Sequence, residues 1–161
     1  MATPLSPKQA LNRAAALCSR SEQCAHDIRE KLLRWGLDPD QADDAIARLK
    51  KEGFIDDDRY ARAFAHDKFL YTGWGPIKIA TMLRQKGIAQ ASIADALENI
   101  SRDDQEQALM RALQAKWRSV QGREPRLARA ALLRFAASRG YDTQMCYRCV
   151  NQITQIDGDD D

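Results

Sequence analysis

Apolar side chains recur along this chain at spacings of three and four, interrupted by glycine, proline and acidic breaks about one helix apart. Cys24, Ile28, Leu32 and Trp35 form one stripe, Ala42, Ala45, Ile46 and Leu49 the next, and Ala61, Phe64, Ala65 and Phe69 a third. The pattern continues through Ile79, Met82 and Leu83, through Ile93, Ala96, Leu97 and Ile100, and through Leu109, Leu113 and Trp117. Leu132, Phe135 and Ala136, then Cys146, Cys149, Val150 and Ile153, complete it. This is the period of amphipathic helices, not the alternation of strands. With an opening helix near residues 7–19, the spacing predicts nine helices and an all-α fold.

Start and stop signals agree with those intervals. Ser6-Pro7, Asp38-Pro39, Gly75-Pro76 and Glu124-Pro125 each set a possible cap before a proline at the first helical position. Asp38 with Gln41, and Asp103 with Glu106, have the spacing of a capping box. Gly36, Gly53, Gly87 and Gly140 follow periodic segments, where a left-handed residue closes the last turn.

The helices repeat in threes. A shift of 51 residues carries Ile28 to Ile79, Leu32 to Leu83, Gly36 to Gly87 and Leu37 to Ile88. A further shift of 53 carries Gly87 to Gly140 and Ile88 to Tyr141. Helical periodicity alone aligns apolar residues, so the weight rests on the aligned glycines, each followed by an apolar residue. We expect three tandem three-helix repeats, stacked as a short curved solenoid: repeat one at 1–55, repeat two at 56–101, repeat three at 102–156, and an acidic tail at 157–161.

Composition narrows the class. The 161 residues include many Ala, Leu, Arg, Gln and Asp and only eight Gly, which favours helix over sheet. No apolar run approaches the roughly 20 residues that span a bilayer, and the N-terminus has no signal-peptide pattern, so a cytoplasmic protein is expected. Its four cysteines then stay reduced. The net charge of +2 hides an asymmetry: residues 102–156 hold ten basic and five acidic side chains, whereas residues 1–101 hold fifteen and fourteen. The basic surface belongs to the last third and suggests an anionic partner or an acidic protein surface.

Residues 53–88 read GFIDDDRYARAFAHDKFLYTGWGPIKIATMLRQKGI. This stretch resembles the RecX family, regulators of the RecA recombinase, in a glycine, an acidic run, Tyr-Ala and Phe at helical spacing, a Gly-x-Gly-Pro turn, then Ile, Leu and Lys-Gly-Ile. The matching positions are Gly53, Asp57, Tyr60, Ala61, Phe64, Gly73, Gly75, Pro76, Ile79, Leu83 and Gly87. The resemblance implies three-helix repeats, binding in the groove of the RecA filament on DNA, and inhibition of recombinase, ATPase and co-protease activities. We further expect a monomer with weak or indirect DNA contact, no membrane contact, no metal or cofactor and no enzymatic activity, since no catalytic arrangement of side chains is evident. The alternative is a direct DNA-binding protein that uses its triplets like helix-turn-helix units.

Several residues have two readings. Asp56, Asp57 and Asp58 either cap the fourth helix or face a basic partner. Tyr60, Ala61 and Phe64 suit core packing better than a recognition stripe. Gly73, Trp74, Gly75 and Pro76 form a tight turn, or offer backbone amides to a phosphate. Tyr71 and Trp74 pack between repeats or stack on a base. The candidate contacts with a partner or nucleic acid are Lys68, Tyr71, Trp74, Lys78, Arg84 and Lys86 in the middle repeat, and Arg111, Arg118, Arg126, Arg129 and Arg134 in the third. A solvated face is the competing reading for the arginines. Cys146 and Cys149 align with Ile93 and Ala96 and read as core, not as half of a zinc site. His26 and His66 have no nucleophile or carboxylate arrangement beside them that suggests a triad.

Overall fold

The computed structural model describes residues 3–158, and among them nine α-helices and no strand. The helices are α1 Pro7–Arg20, α2 Ala25–Arg34, α3 Pro39–Lys51, α4 Asp57–Asp67, α5 Pro76–Gln85, α6 Gln90–Glu98, α7 Arg102–Val120, α8 Pro125–Ser138 and α9 Thr143–Gly158. A π-helical turn, Lys68–Thr72, follows α4. From residue 159 on, the acidic tail lies outside the described residues.

Local chemistry sets most boundaries. Ser6 accepts from the Gln9 amide at 3.2 Å while the Gln9 side chain accepts from the Ser6 amide at 3.0 Å, a reciprocal box that opens α1. Asp38 and Gln41 do the same for α3, at 2.8 and 3.1 Å. One expectation fails: α7 is capped by Ser101, whose hydroxyl accepts from the Asp104 amide at 3.0 Å. Asp103 lies inside the first turn instead, where its charge still complements the N-terminal dipole. Gly36, Gly87 and Gly140 all have positive φ, and the residues after them, Leu37, Ile88 and Tyr141, are all buried. The repeated glycine-plus-apolar signal therefore marks the same turn in each triplet.

The chain folds into two compact units. One comprises, among the described residues, 3–63 and 83–96; its core joins Ala10 and Ala14 of α1, Ile28 and Leu32 of α2, and Ala42, Ile46 and Leu49 of α3. The other comprises, among the described residues, 64–82 and 97–158; its core joins Leu109, Leu113 and Val120 of α7, Ala128, Leu132 and Ala136 of α8, and Met145, Cys149, Val150 and Ile153 of α9. Leu32, Leu49, Leu109 and Leu132 are fully buried. Each such side chain stabilises the fold by about 1.5–3 kcal/mol through apolar burial.

Candidate functional site

In the first unit the acidic run at the start of α4 is used within the fold. Asp56 accepts from the Arg59 amide at 3.1 Å and so caps α4 itself. Asp57 reaches α2, whose N-cap residue Cys24 makes no side-chain cap bond, and accepts from the Ala25 amide at 3.0 Å. Asp58 accepts from the Ser92 hydroxyl in α6. Sequence spacing suggested one capped helix, yet the three carboxylates serve three. Long-range partners of this kind leave no periodic signal.

Lys86 has a similar internal role. Its ammonium lies 2.7 Å from Asp27 of α2 and only about a quarter of the side chain is exposed (25%). Burial works against the charge on both groups. That is the largest single influence on each, but the bond between them together with the attraction of the neighbouring charges, and for Asp27 the further bonds to His26 and Cys24, exceeds it, so Asp27 lies below the ordinary carboxylate range and Lys86 above the ordinary lysine range. Burial pushes the neighbouring Tyr60 phenol up to about 12. Arg59 adds a 2.5 Å contact to Glu22. His26, Asp27 and Glu30 bring three possible ligand atoms within 4.8 Å, but the Lys86 ammonium already supplies the cation there.

In the second unit the glycine-rich turn is a backbone seat. The Gly75 amide donates to the Arg139 carbonyl at 2.6 Å and the Ile77 amide to the Gly140 carbonyl at 2.9 Å. These amides, which a phosphate would have used, are therefore occupied. A Cβ on Gly75 would fall 2.5 Å from the Gly140 carbonyl oxygen, and one on Gly140 would fall 2.6 Å from the Lys78 backbone nitrogen, so the approach needs glycine on both sides. Arg139 donates to the Thr72 carbonyl at 2.8 Å and the Tyr141 hydroxyl to the Gly73 carbonyl at 3.2 Å.

That seat fixes the candidate contacts of the middle triplet. Trp74 is half-buried, with the Lys68 ammonium 4.8 Å and the Lys78 ammonium 4.4 Å from its ring centroid, and Phe64 edge-on at 6.3 Å. Tyr71, by contrast, is 81% exposed, and Leu70 and Ile77 stand out beside it in sequence. Arg84 is exposed on α5.

The third-triplet arginines divide by role. Arg129 is half-buried, donates to Asn151 at 2.8 Å and lies over Tyr147, so it ties α8 to α9. Arg111, Arg118, Arg126 and Arg134 are exposed, and among the described residues none forms an ion pair. The acids of residues 102–156 are committed elsewhere. Asp103 and Asp104 sit in the first turn of α7, Glu124 caps α8, Glu106 pairs with Arg148 at 3.0 Å, and Asp142 pairs with Arg102. Lys116 and Arg123 add to the unanswered charge, and the sequence reading had not singled them out.

Cys146 and Cys149 are buried, and burial raises both thiols, Cys149 to about 11. Neither is a thiolate nucleophile at neutral pH.

Two family models match the chain: the first three-helix domain of RecX over residues 10–49 and the second over residues 56–97. A regulatory protein RecX of Pseudomonas savastanoi pv. phaseolicola is 33% identical over 141 residues, covering 86% of this chain and 87% of its own. The chain belongs to the RecX family. A second RecX, from Chromobacterium violaceum, is 31% identical over 151 residues, covering 92% of this chain and 91% of its own. The crystal structure of RecX from Lactobacillus salivarius superposes with a TM-score of 0.78 at 17% identity, covering 91% of this chain and 95% of that one. Another regulatory protein RecX structure gives 0.83 at 21% identity, over 91% and 73%. At these identities the structural likeness concerns the fold.

Within the RecX domains, the motif positions of this chain build the scaffold. Ala61, Ile79 and Leu83 are buried, Gly73 and Gly87 take positive φ, Gly53 likewise, and Gly75, with Ile77 just beyond Pro76, forms the seat against the α8–α9 turn. Among the described residues no helix is long and apolar enough to cross a membrane.

Proposed function

We propose that this RecX-family chain is a cytoplasmic, monomeric regulator that binds the RecA–DNA nucleoprotein filament and inhibits its recombinase, ATPase and co-protease activities. The observation that carries the reading is the set of exposed, unanswered arginines, Arg111, Arg118, Arg126 and Arg134, on one compact unit of a regulatory fold. A filament is a polyanion framed by protein, and cations without internal partners lose little on meeting it. The triplets read at 1–55, 56–101 and 102–156 then serve as successive contacts, the third the most cationic. A binder that prefers one filament state slows turnover without chemistry of its own, because it shifts the population toward that state.

The same arginines favour a second reading, direct DNA binding through phosphates. One titration separates the two: ATP hydrolysis by the recombinase on single-stranded DNA with rising protein, alongside binding to that DNA alone. Filament regulation predicts inhibition at concentrations that leave naked DNA largely unoccupied. Hydrolysis that persists while the protein saturates the DNA contradicts it.

A further inference from the structure

Five large apolar side chains are well exposed among the described residues, and three of them, Leu70, Tyr71 and Ile77, lie within residues 70–77. Scattered exposure is ordinary, whereas three such side chains within eight residues point to a contact segment. The cluster sits on the π-helical turn Lys68–Thr72 and the first turn of α5. Because Lys68 and Lys78 both lie on the ring of Trp74, the two ends of this segment are folded round one indole.

The segment is rigid in the way a binding anchor needs. The Trp74 amide returns to the Lys68 carbonyl at 3.0 Å, Arg139 and Tyr141 hold the Thr72 and Gly73 carbonyls, and the Arg139 and Gly140 carbonyls hold the amides of Gly75 and Ile77. The backbone on either side of Tyr71 is therefore tied down before any partner arrives, which lowers the ordering cost of association. None of the motif's structural duties explains Tyr71 itself. Neither Lys68 nor Lys78 has a carboxylate partner among the described residues. Their ammonium groups rest on an aromatic face and keep their charge for something else.

We infer that Tyr71, flanked by Leu70 and Ile77 and by Lys68 and Lys78, is the anchor by which this chain grips a protein surface carrying an apolar pocket with an acidic rim. Two of the three exposed apolar groups are aliphatic, which suits a water-excluding ring round a buried aromatic anchor and adds nothing to base stacking. A nucleic acid would be served by several phosphate contacts, and this segment offers two cations. The inference rests on the filament-binding reading and assigns this segment to the recombinase subunit, not to its DNA.

The test uses the full chain with Tyr71→Ala, Tyr71→Phe and the double variant L70A/Y71A. Binding is measured to recombinase filaments on single-stranded DNA by co-sedimentation, and to the same oligonucleotide alone by fluorescence anisotropy. Circular dichroism checks the helices, which these exposed substitutions leave intact. The expected result is a loss of filament affinity of about tenfold or more for Tyr71→Ala and the double variant, near-normal binding by Tyr71→Phe, and DNA binding within about twofold of the unsubstituted chain. Equal losses on filament and on naked DNA overturn the inference in favour of base stacking. Full filament binding by the double variant overturns it in favour of solvated surface and leaves the filament reading standing. Absence of filament binding by the unsubstituted chain overturns both.

Discussion

Each compact unit is held by a different mix of contacts. In the first, carboxylates and cations close on one another or on helix ends: Asp27 on Lys86, Glu22 on Arg59, Asp57 on the start of α2, Asp43 on Arg29. The second has two ion pairs, Arg102 with Asp142 and Arg148 with Glu106, and is joined as well by backbone and hydroxyl contacts, Gly75 to Arg139, Ile77 to Gly140, Tyr141 to Gly73, while Arg111, Arg118, Arg126 and Arg134 are exposed and form no ion pair among the described residues. The contrast teaches which charges belong to folding. A cation whose acids are committed elsewhere is available to a partner at little structural cost.

Breaking the backbone seat of the second unit has the largest expected effect. Gly140→Ala places a Cβ 2.3 Å from the Lys78 Cβ in a left-handed conformation with φ of +94. Left-handed strain and overpacking together cost about 2–5 kcal/mol. Gly87→Ala, also left-handed but with nothing within 4 Å, costs about 1–2 kcal/mol. Urea unfolding of the pair measures the difference, and equal midpoints contradict the close approach.

Next comes the charge tie of the first unit. Asp27→Asn weakens a charge-assisted bond between groups about a quarter exposed, 28% and 25%, for a loss of about 1–2 kcal/mol near pH 7. Its pH dependence has a definite sign. Asp27 is depressed in the folded chain, so its contribution is complete above the unfolded value of about 4 and is lost as pH falls through the lower folded value. Lys86 is raised, so its contribution is complete below about 10.4 and is lost as pH rises through the higher folded value. Melting temperature against pH is expected to fall at both ends, with both limbs shallower in Asp27→Asn. Limbs that superpose on those of the unsubstituted chain contradict the tie.

The smallest stability effect belongs to the outward arginines. Gln at Arg118, Arg126 or Arg134 is expected to change stability by no more than about 0.5 kcal/mol. Arg129→Gln is expected to cost more, because it loses the Asn151 bond and its place over Tyr147. Thermal melts of the four single variants check the ordering.

Helix number, the triplet repeat and the left-handed glycines were legible because they rest on local spacing and on chain conformations that few residues adopt. The cap of α7 was misplaced at Asp103 because Ser101, two residues earlier, offers the same chemistry and the extended backbone that a cap requires. The roles of Asp57 and Lys86 were hidden, since their partners lie 32 and 59 residues away. Gly75 announced a turn, while its seat on Arg139 and Gly140 belongs to another triplet. The exposed arginines were nameable from composition and helical phase. Separating Arg129 from the rest needed the position of Asn151 on α9.

Inhibition of recombinase ATP hydrolysis by a variant with Arg111, Arg118, Arg126 and Arg134 all replaced by Gln tests the central claim most directly. The predicted result is a helical protein that melts close to the unsubstituted chain but needs at least about tenfold more protein for half-inhibition, with a flatter dependence on salt. Half-inhibition at the original concentration, with the original salt dependence, would contradict the assignment of these charges to the partner.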